Sequence, residues 1–317
     1  MPPLSMRRDA GQLYRFTMWD TVASRDPLRH SGGVREAGVT LDPTRLMQHD
    51  WPLRRVAAEP REAMLYALSI GLGADEPELP FVHERALRIA PTFALALAFD
   101  DSWIEPAGVP LAKVLHGGLD LAFEAPIEAP GEATIRTRML GLEDKGAGRG
   151  AVLCVENEIA QSGTVRCRLA SNLFVRGAGG FGGSRGRAME QRAAPAHAPD
   201  LRIETPTARN QALLYRLLGD RNALHVDPAV ARAAGFDRPI LHGACTFAVA
   251  GATMLRAFCG LDPARLKRLA ARFAGVVYPG ETLAFSLWRD GGAVQFRADV
   301  VERGAPALDN GLAEIAS

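Results

Sequence analysis

The densest run of chemistry-bearing side chains is Gly219-Asp220-Arg221-Asn222-Ala223-Leu224-His225-Val226-Asp227-Pro228. Asp220 and His225 stand five positions apart, and a carboxylate beside an imidazole can hold a water and move its proton near neutral pH. The same spacing also suits a plainer arrangement in which Asp220 caps a turn and His225 flanks a helix. A second group follows at Pro239-Ile240-Leu241-His242-Gly243-Ala244-Cys245-Thr246. Here a Pro-flanked segment turns into a helix, so Gly243 falls at a helix N-terminus, where unpaired amides and the dipole favour negative charge. That suits a developing oxyanion; close packing is the other use for a glycine there. His242 reads either as a partner of a backbone carbonyl or as a participant.

The elements that must hold these groups are legible in the second half of the chain. Leucines and Tyr215 recur at helical spacing from Arg209 to Leu218, and Gly219 stops the run. Asp227, Pro228 and Gly235 bracket a second short helix as N-cap, first turn and terminator. A third helix over about 243–258 is apolar nearly all round, so it is expected to be enclosed, with Gly251 in its middle for close packing against a sheet. Then 281–288 and 293–301 alternate around Asp290-Gly291-Gly292 as a hairpin, and 306–315 supplies a third strand. Strand-like runs over 134–142, 150–159 and 164–176 close the first half in the same way.

The two halves are related. Ala63-Met64-Leu65-Tyr66-Ala67-Leu68 and Ala212-Leu213-Leu214-Tyr215-Arg216-Leu217 share one pattern at an offset of 149, and the same offset carries Pro130-Gly131-Glu132-Ala133 onto Pro279-Gly280-Glu281-Thr282. Helices followed by an antiparallel meander, present twice, indicate two α+β units. The expected organisation is an N-terminal extension over 1–38, one repeat over 39–181, a Gly/Ala/Pro/Arg-rich linker over 182–206 and a second repeat over 207–317.

Composition narrows the function classes. In 317 residues, 37 Lys and Arg stand against 36 Asp and Glu, a net charge of +1 that lacks the basic footprint of a nucleic-acid binder. The apolar run 243–255 is too short for a membrane span. The N-terminus lacks the apolar region of a secretory signal, and Glu314-Ile315-Ala316-Ser317 is no peroxisomal address. Four cysteines without a C-x-x-C pair are expected to be reduced core thiols in a cytoplasmic protein. Gly177-Ala178-Gly179-Gly180-Phe181-Gly182 spells G-x-G-x-x-G, but no amphipathic helix follows, so no dinucleotide site is expected. Lys145-Gly146-Ala147-Gly148-Arg149-Gly150 is the better anion-facing turn.

The run from Tyr215 to Pro228, with 234–247, resembles the signature of the MaoC-like hydratases, and more narrowly the (R)-specific 2-enoyl-CoA hydratase 2 group. The resemblance extends to Arg272–Leu283, Leu115-His116-Gly117, 144–148 and 174–183, and so covers the chain from about Val39 to the end. It implies a double hotdog whose second repeat keeps the catalytic machinery. The first is degenerate: 149 positions before Asp220 and His225 stand Gly71 and Glu76. In the family such a half makes room for bulky acyl chains and helps to bind coenzyme A.

Carried over by residue, the resemblance makes Asp220 and His225 the catalytic pair. Asn222 helps to position thioester and water, and the Gly243 N–H contacts the thioester carbonyl. His116, Gly117, Lys145 and Phe273 line the acyl-CoA site; their plainer alternatives are a turn for His116-Gly117, a solvated charge for Lys145 and a strand core residue for Phe273. The implied reaction is reversible hydration of a trans-2-enoyl-CoA to a (3R)-3-hydroxyacyl-CoA by a hydro-lyase. It needs no metal and no cofactor beyond the coenzyme A of the substrate, and a homodimer is expected. Dehydration of another acyl thioester (branched, dicarboxylic or carrier-bound) and non-catalytic acyl-CoA binding are the alternatives. One departure stands out: Ala223 occupies a place where the family has Pro, which puts the rigidity of the loop in question.

Overall fold

One antiparallel sheet of eleven strands runs through the described residues, 41–186 and 192–316, of the computed structural model. The expected extension over 1–38 lies outside the described residues. The strands are β1 (Arg54–Ala58), β2 (Val114–Phe123), β3 (Gly131–Asp144), β4 (Gly150–Gln161), β5 (Thr164–Arg176), β6 (Arg185–Gly186), β7 (Leu201–Pro206), β8 (Leu266–Phe273), β9 (Thr282–Asp290), β10 (Ala293–Val300) and β11 (Ala305–Ile315). Their order is β1-β3-β4-β5-β2-β8-β11-β10-β9-β7, with β6 beside β3. Read outward from the centre, β2-β5-β4-β3-β1 and β8-β11-β10-β9-β7 are the same sequence of elements twice. The two copies join at β2 and β8, where Leu121 stands opposite Leu269 and Arg268 donates two hydrogen bonds of 2.8 Å to the Asp120 carboxylate. This is the double hotdog that the resemblance implied.

The wrapped helices differ between copies. In the second repeat the helix Gly243–Phe258 is buried without interruption from Cys245 to Leu255, as its all-round apolar surface requires. In the first, the equivalent position, Ala94, also starts a helix, but it ends after five residues at Ala98. Leu41, Leu46, Ile104, Ala107 and Val109 cover the sheet beyond it, packed with Met139, Leu153, Val155 and Val175. Gly251 makes the close approach expected of it, chiefly to the first repeat. A Cβ there would lie 2.8 Å from Thr92 Cγ2 and 3.3 Å from Leu269 on β8.

The segment expected as a linker over 182–206 is structured at both ends. Arg185–Gly186 pairs with β3, and Leu201–Pro206 forms the edge strand β7 against β9. Its alternation of exposed and half-buried residues spans only six positions and ends on a proline, as suits an edge; the Gly- and Ala-rich residues before it dominate a composition window. All four cysteines are buried and none is in a disulfide, and burial pushes the Cys245 thiol up to about 12. Among the described residues no helix is long and apolar enough to cross a membrane.

Candidate active site

The helix Gln211–Tyr215 and a 3-10 turn at Arg216–Leu218 lead to Gly219, whose φ of +129° favours glycine and where a Cβ would stand 3.3 Å from the Phe99 ring. Asp220 follows. Its Oδ1 accepts the Asn222 amide at 3.2 Å, while Asn222 Oδ1 accepts the Leu224 amide at 3.0 Å and caps the turn Ala223–His225. Asp227 caps the helix Pro228–Ala233 through the Ala229 and Val230 amides. Asp220 therefore does cap a turn, through one oxygen, and its second carboxylate oxygen is left for other partners.

His225 is buried, and its Nδ1 lies 2.9 Å from the Ile240 carbonyl. A carbonyl only accepts, so Nδ1 carries the proton and Nε2 keeps the lone pair. His242 answers in the opposite direction: its Nε2 donates to the Asp220 carbonyl at 3.2 Å. The two rings stack at 3.7 Å with an angle of 25° between planes. Burial lowers the His225 value, against the raising influence of the Ile240 hydrogen bond and Asp220, and burial raises Asp220 despite His225 beside it. Burial, then the neighbouring His225, pushes His242 down to about 3, so His242 stays neutral. The pair Asp220–His225 is thus a weakened carboxylate acid facing a weakened imidazole base, the condition in which a proton moves between them at little cost.

Gly243 opens the helix, and no side chain caps its first amides. A Cβ on Gly243 would stand 3.3 Å from the Phe273 ring at the end of β8, so the glycine lets an aromatic wall close over the helix end. Phe273 lies 5.0 Å from the ring of His116. Gly117 is neither in a turn nor in regular pairing: β2 bulges there, with His116 opposite Leu173 and Gly118 opposite Asn172. The extra residue brings His116 to the face of Leu173, where the apolar cluster of the first repeat packs. His116 Nε2 is buried without a hydrogen-bond partner among the described residues, and burial pushes the ring down to about 4.

Lys145 is not part of this assembly. It is exposed and paired with Glu143 at 2.5 Å. By register, Glu143, Val152, Phe174 and Leu115 form one row across β3, β4, β5 and β2. At the usual strand spacing this puts the 145–149 turn about 14 Å from the start of β2. The amides of this turn are partly in use: Asp144 Oδ1 accepts from Gly146 at 2.7 Å and from Gly180 at 2.8 Å, and Oδ2 from Gly182 at 2.9 Å. These amides hold the Asp144 carboxyl down at about 2. The Gly-rich run 177–183 therefore wraps a carboxylate of its own chain.

The side chains of Asp220, His225 and His242 offer ligand atoms within 4.8 Å of one another. One nitrogen of each ring is committed to a backbone carbonyl, which leaves His225 Nε2 and His242 Nδ1 as the lone pairs the rings can offer beside the carboxylate.

Comparison with known proteins agrees with this geometry. The model of the MFE-2 hydratase 2 N-terminal domain matches residues 57–177, and that of the MaoC like domain matches 190–310. The 3-hydroxyacyl-thioester dehydratase Y of Mycobacterium tuberculosis is 38% identical over 274 residues, covering 80% of this chain and 91% of the relative. The chain belongs to the MaoC-like hydratase family. Another relative, the peroxisomal enoyl-CoA hydratase 2 of Arabidopsis thaliana, is 34% identical over 290 residues, covering 83% of this MaoC-like chain and 92% of its own length. The crystal structure of a MaoC-like dehydratase from Phytophthora capsici superposes with a TM-score of 0.80 at 30% identity, covering 87% of this chain and 98% of that one.

The structure thus brings together Asp220, Asn222, His225, Gly243, Phe273, His116 and Gly117, and leaves Lys145 apart. Sequence reasoning did not find Phe99 against Gly219, nor the stack of His242 on His225. The first joins residues 120 positions apart with no pattern to link them; the second was open because a His before a helix suits several roles.

Proposed function

We propose that the chain catalyses reversible hydration of a trans-2-enoyl-CoA to a (3R)-3-hydroxyacyl-CoA, the hydro-lyase activity of enoyl-CoA hydratase 2. The observation that carries this reading is the free Nε2 lone pair of His225 beside the Asp220 carboxylate, next to an uncapped helix end at Gly243. A water held by the pair gives a proton to His225 Nε2 as its oxygen bonds to C3. The C2–C3 π electrons move toward the thioester, whose oxygen takes up negative charge, and the pair returns a proton to C2. The water is thereby divided between C3 and C2 with nothing left over. The Gly243 N–H faces the developing enolate; a single preorganised donor of this kind is worth about 3–4 kcal/mol. The thioester already acidifies C2, so the proposed route uses no metal and no cofactor beyond the substrate's own coenzyme A.

Asn222, with its carbonyl oxygen committed to the turn, has its amide N–H groups to orient the substrate. Phe273, His116 and Gly117 form the wall through which the acyl chain passes, and Lys145, some strands away, meets the distal phosphates. Dehydration of another acyl thioester is the second reading, favoured by the name of the mycobacterial dehydratase relative. A homodimer in the cytoplasm completes the proposal; light scattering and cell fractionation test those two points, the second against the peroxisome named for the plant relative. Purified protein assayed against a panel of enoyl-CoAs, with chiral analysis of the product, tests the main reading. An exclusively (3S) product, or free thiol released in step with the loss of enoyl-thioester absorbance, overturns it.

A further inference from the structure

The aromatic contacts behind the catalytic loop form an unbroken series that begins in the other repeat. Phe93 lies 5.5 Å from Tyr66, Tyr66 lies 5.9 Å from Tyr215, Tyr215 lies 5.0 Å from His242, and His242 lies 3.7 Å from His225, centroid to centroid. All five rings are buried. Tyr66 and Tyr215 are the same position of the duplicated unit, 149 residues apart, and they meet where the copies meet. Rings in offset or tilted contact at these distances resist sliding past one another, and each such pair adds to the energy of burial alone.

The end of the series is where position matters most. His225 is tied to the segment before the helix through Ile240, and His242 is tied back to the loop through the Asp220 carbonyl. The loop and the helix entry are therefore joined by two hydrogen bonds running in opposite senses, with the rings stacked between them. Both bonds end on carbonyls, so each ring is held to one tautomer. We infer that His242 is a positioning residue for the Asp220–His225 pair, and that the degenerate first repeat steadies it through Tyr66 and Tyr215. The inference rests on the hydration reading above and gives the first repeat a part in catalysis beyond making room for substrate.

His242 is not itself in the proton path. Its Nε2 proton is committed to Asp220, and its Nδ1 is buried without a partner among the described residues. Neutrality is what the position asks of it: when His225 takes a proton, a second cation 3.7 Å away would oppose the charge, while a neutral ring does not.

The test compares two substitutions that each keep half of the contact. His242→Phe keeps a stacked ring and loses the donor to Asp220; His242→Gln keeps a donor and loses the ring. Each is expected to lower kcat for crotonyl-CoA hydration about tenfold, the worth of one positioning hydrogen bond or ring contact, with KM within about twofold of wild type. Tyr66→Leu, separated from His242 by the Tyr215 ring, is expected to lower kcat in the same sense and to lose its effect in a His242→Gln background. Proton–nitrogen spectra of the substrate-free protein are expected to show one sharp His225 Nδ1–H resonance in wild type, held by Ile240, and the same resonance shifted and broadened in His242→Gln, where the stacked ring is lost. Wild-type kcat in both His242 variants, a change confined to KM, or an unchanged His225 resonance in His242→Gln overturns the inference. If wild type hydrates no enoyl-CoA, the functional reading fails on its own, and the spectra still decide the positioning role.

Discussion

The ring of Phe273 lies 3.3 Å from the point where a side chain on Gly243 would begin. Adding that methyl group requires Phe273 to give way by a few tenths of an ångström at the helix end that faces the proposed enolate. Gly243→Ala is therefore expected to lower kcat by about tenfold, since a displaced oxyanion donor loses part of its few kcal/mol. Replacing Phe273 with the smaller Leu in the same chain should restore part of the loss. Steady-state kinetics of the two single variants and the double variant measure this coupling; additive effects would show that the two residues do not interact.

Removal of either member of the catalytic pair has a larger consequence. Asp220→Asn keeps an acceptor for the Asn222 amide and removes the charge; His225→Gln removes the lone pair that accepts the water proton. Each should lower hydration by about 10²–10⁴-fold, the range for general acid–base groups. The melting temperature of Asp220→Asn should stay close to wild type, because the half-buried carboxylate is already weakened by burial and loses no ion pair. Loss of enoyl-thioester absorbance and thermal unfolding check the two statements separately.

The pH dependence follows from the same pair. The active form has ionised Asp220 and neutral His225. Burial lowers His225 and raises Asp220, with Asp101 adding to the rise of Asp220. The acid limb of kcat/KM is then expected below the ordinary imidazole value of about 6.5, as a single apparent titration belonging to the pair. His242, held near 3, adds nothing to this limb. An acid limb centred above 7 would contradict the assignment of His225 as the base.

Much of this site was readable because it is contiguous. Asp220, Asn222 and His225 lie within six residues, the caps at Asp227 and Gly235 and the helix start at Gly243 carry local signals, and every one of those elements is present. The offset of 149 likewise anticipated two copies of one sheet. What local patterns did not carry is pairing at a distance. The bulge at Gly117 depends on how β2 meets β5, the cover beyond the short first wrapped helix depends on residues 41–47 and 104–109 folding over the sheet, and the approach of Phe99 to Gly219 depends on where that helix ends, at Ala98. At Lys145 a local pattern carries only part of the picture: cation and glycines suggest an anion site, while the pairing of Lys145 with Glu143 and the hold of Asp144 on the Gly146 amide show only in three dimensions.

Ala223, where the family has proline, is a place to gain stability. No hydrogen bond of the loop uses the Ala223 N–H; its carbonyl accepts from Val226 at 3.0 Å and from Asp227 at 2.7 Å. The preceding residue, Asn222, has φ −53° and ψ 127°, the extended conformation that a following proline demands. Ala223→Pro is thus expected to stabilise the fold by about 0.4–1 kcal/mol by restricting the unfolded chain, with kcat unchanged. Urea unfolding measures the gain; a loss of stability would mean that the loop needs the freedom that alanine gives it.

The contact between repeats can be tested without touching the site. Gly251 sits in the middle of the buried helix, and a methyl group there would come within 2.8 Å of Thr92 Cγ2, closer than real side chains approach. Thr92 is itself 2% exposed and lies in the middle of the 3-10 turn Pro91–Phe93, so it has little room to retreat. Gly251→Ala gains helix propensity of about 1 kcal/mol but should lose about 1–3 kcal/mol to overpacking, for a net destabilisation. Thr92→Ser removes the clashing methyl group and keeps the hydroxyl, so the double variant should recover most of the loss and expose the propensity gain. If the double variant is no more stable than Gly251→Ala alone, Leu269 on the other side of the glycine, at 3.3 Å, is the contact that matters.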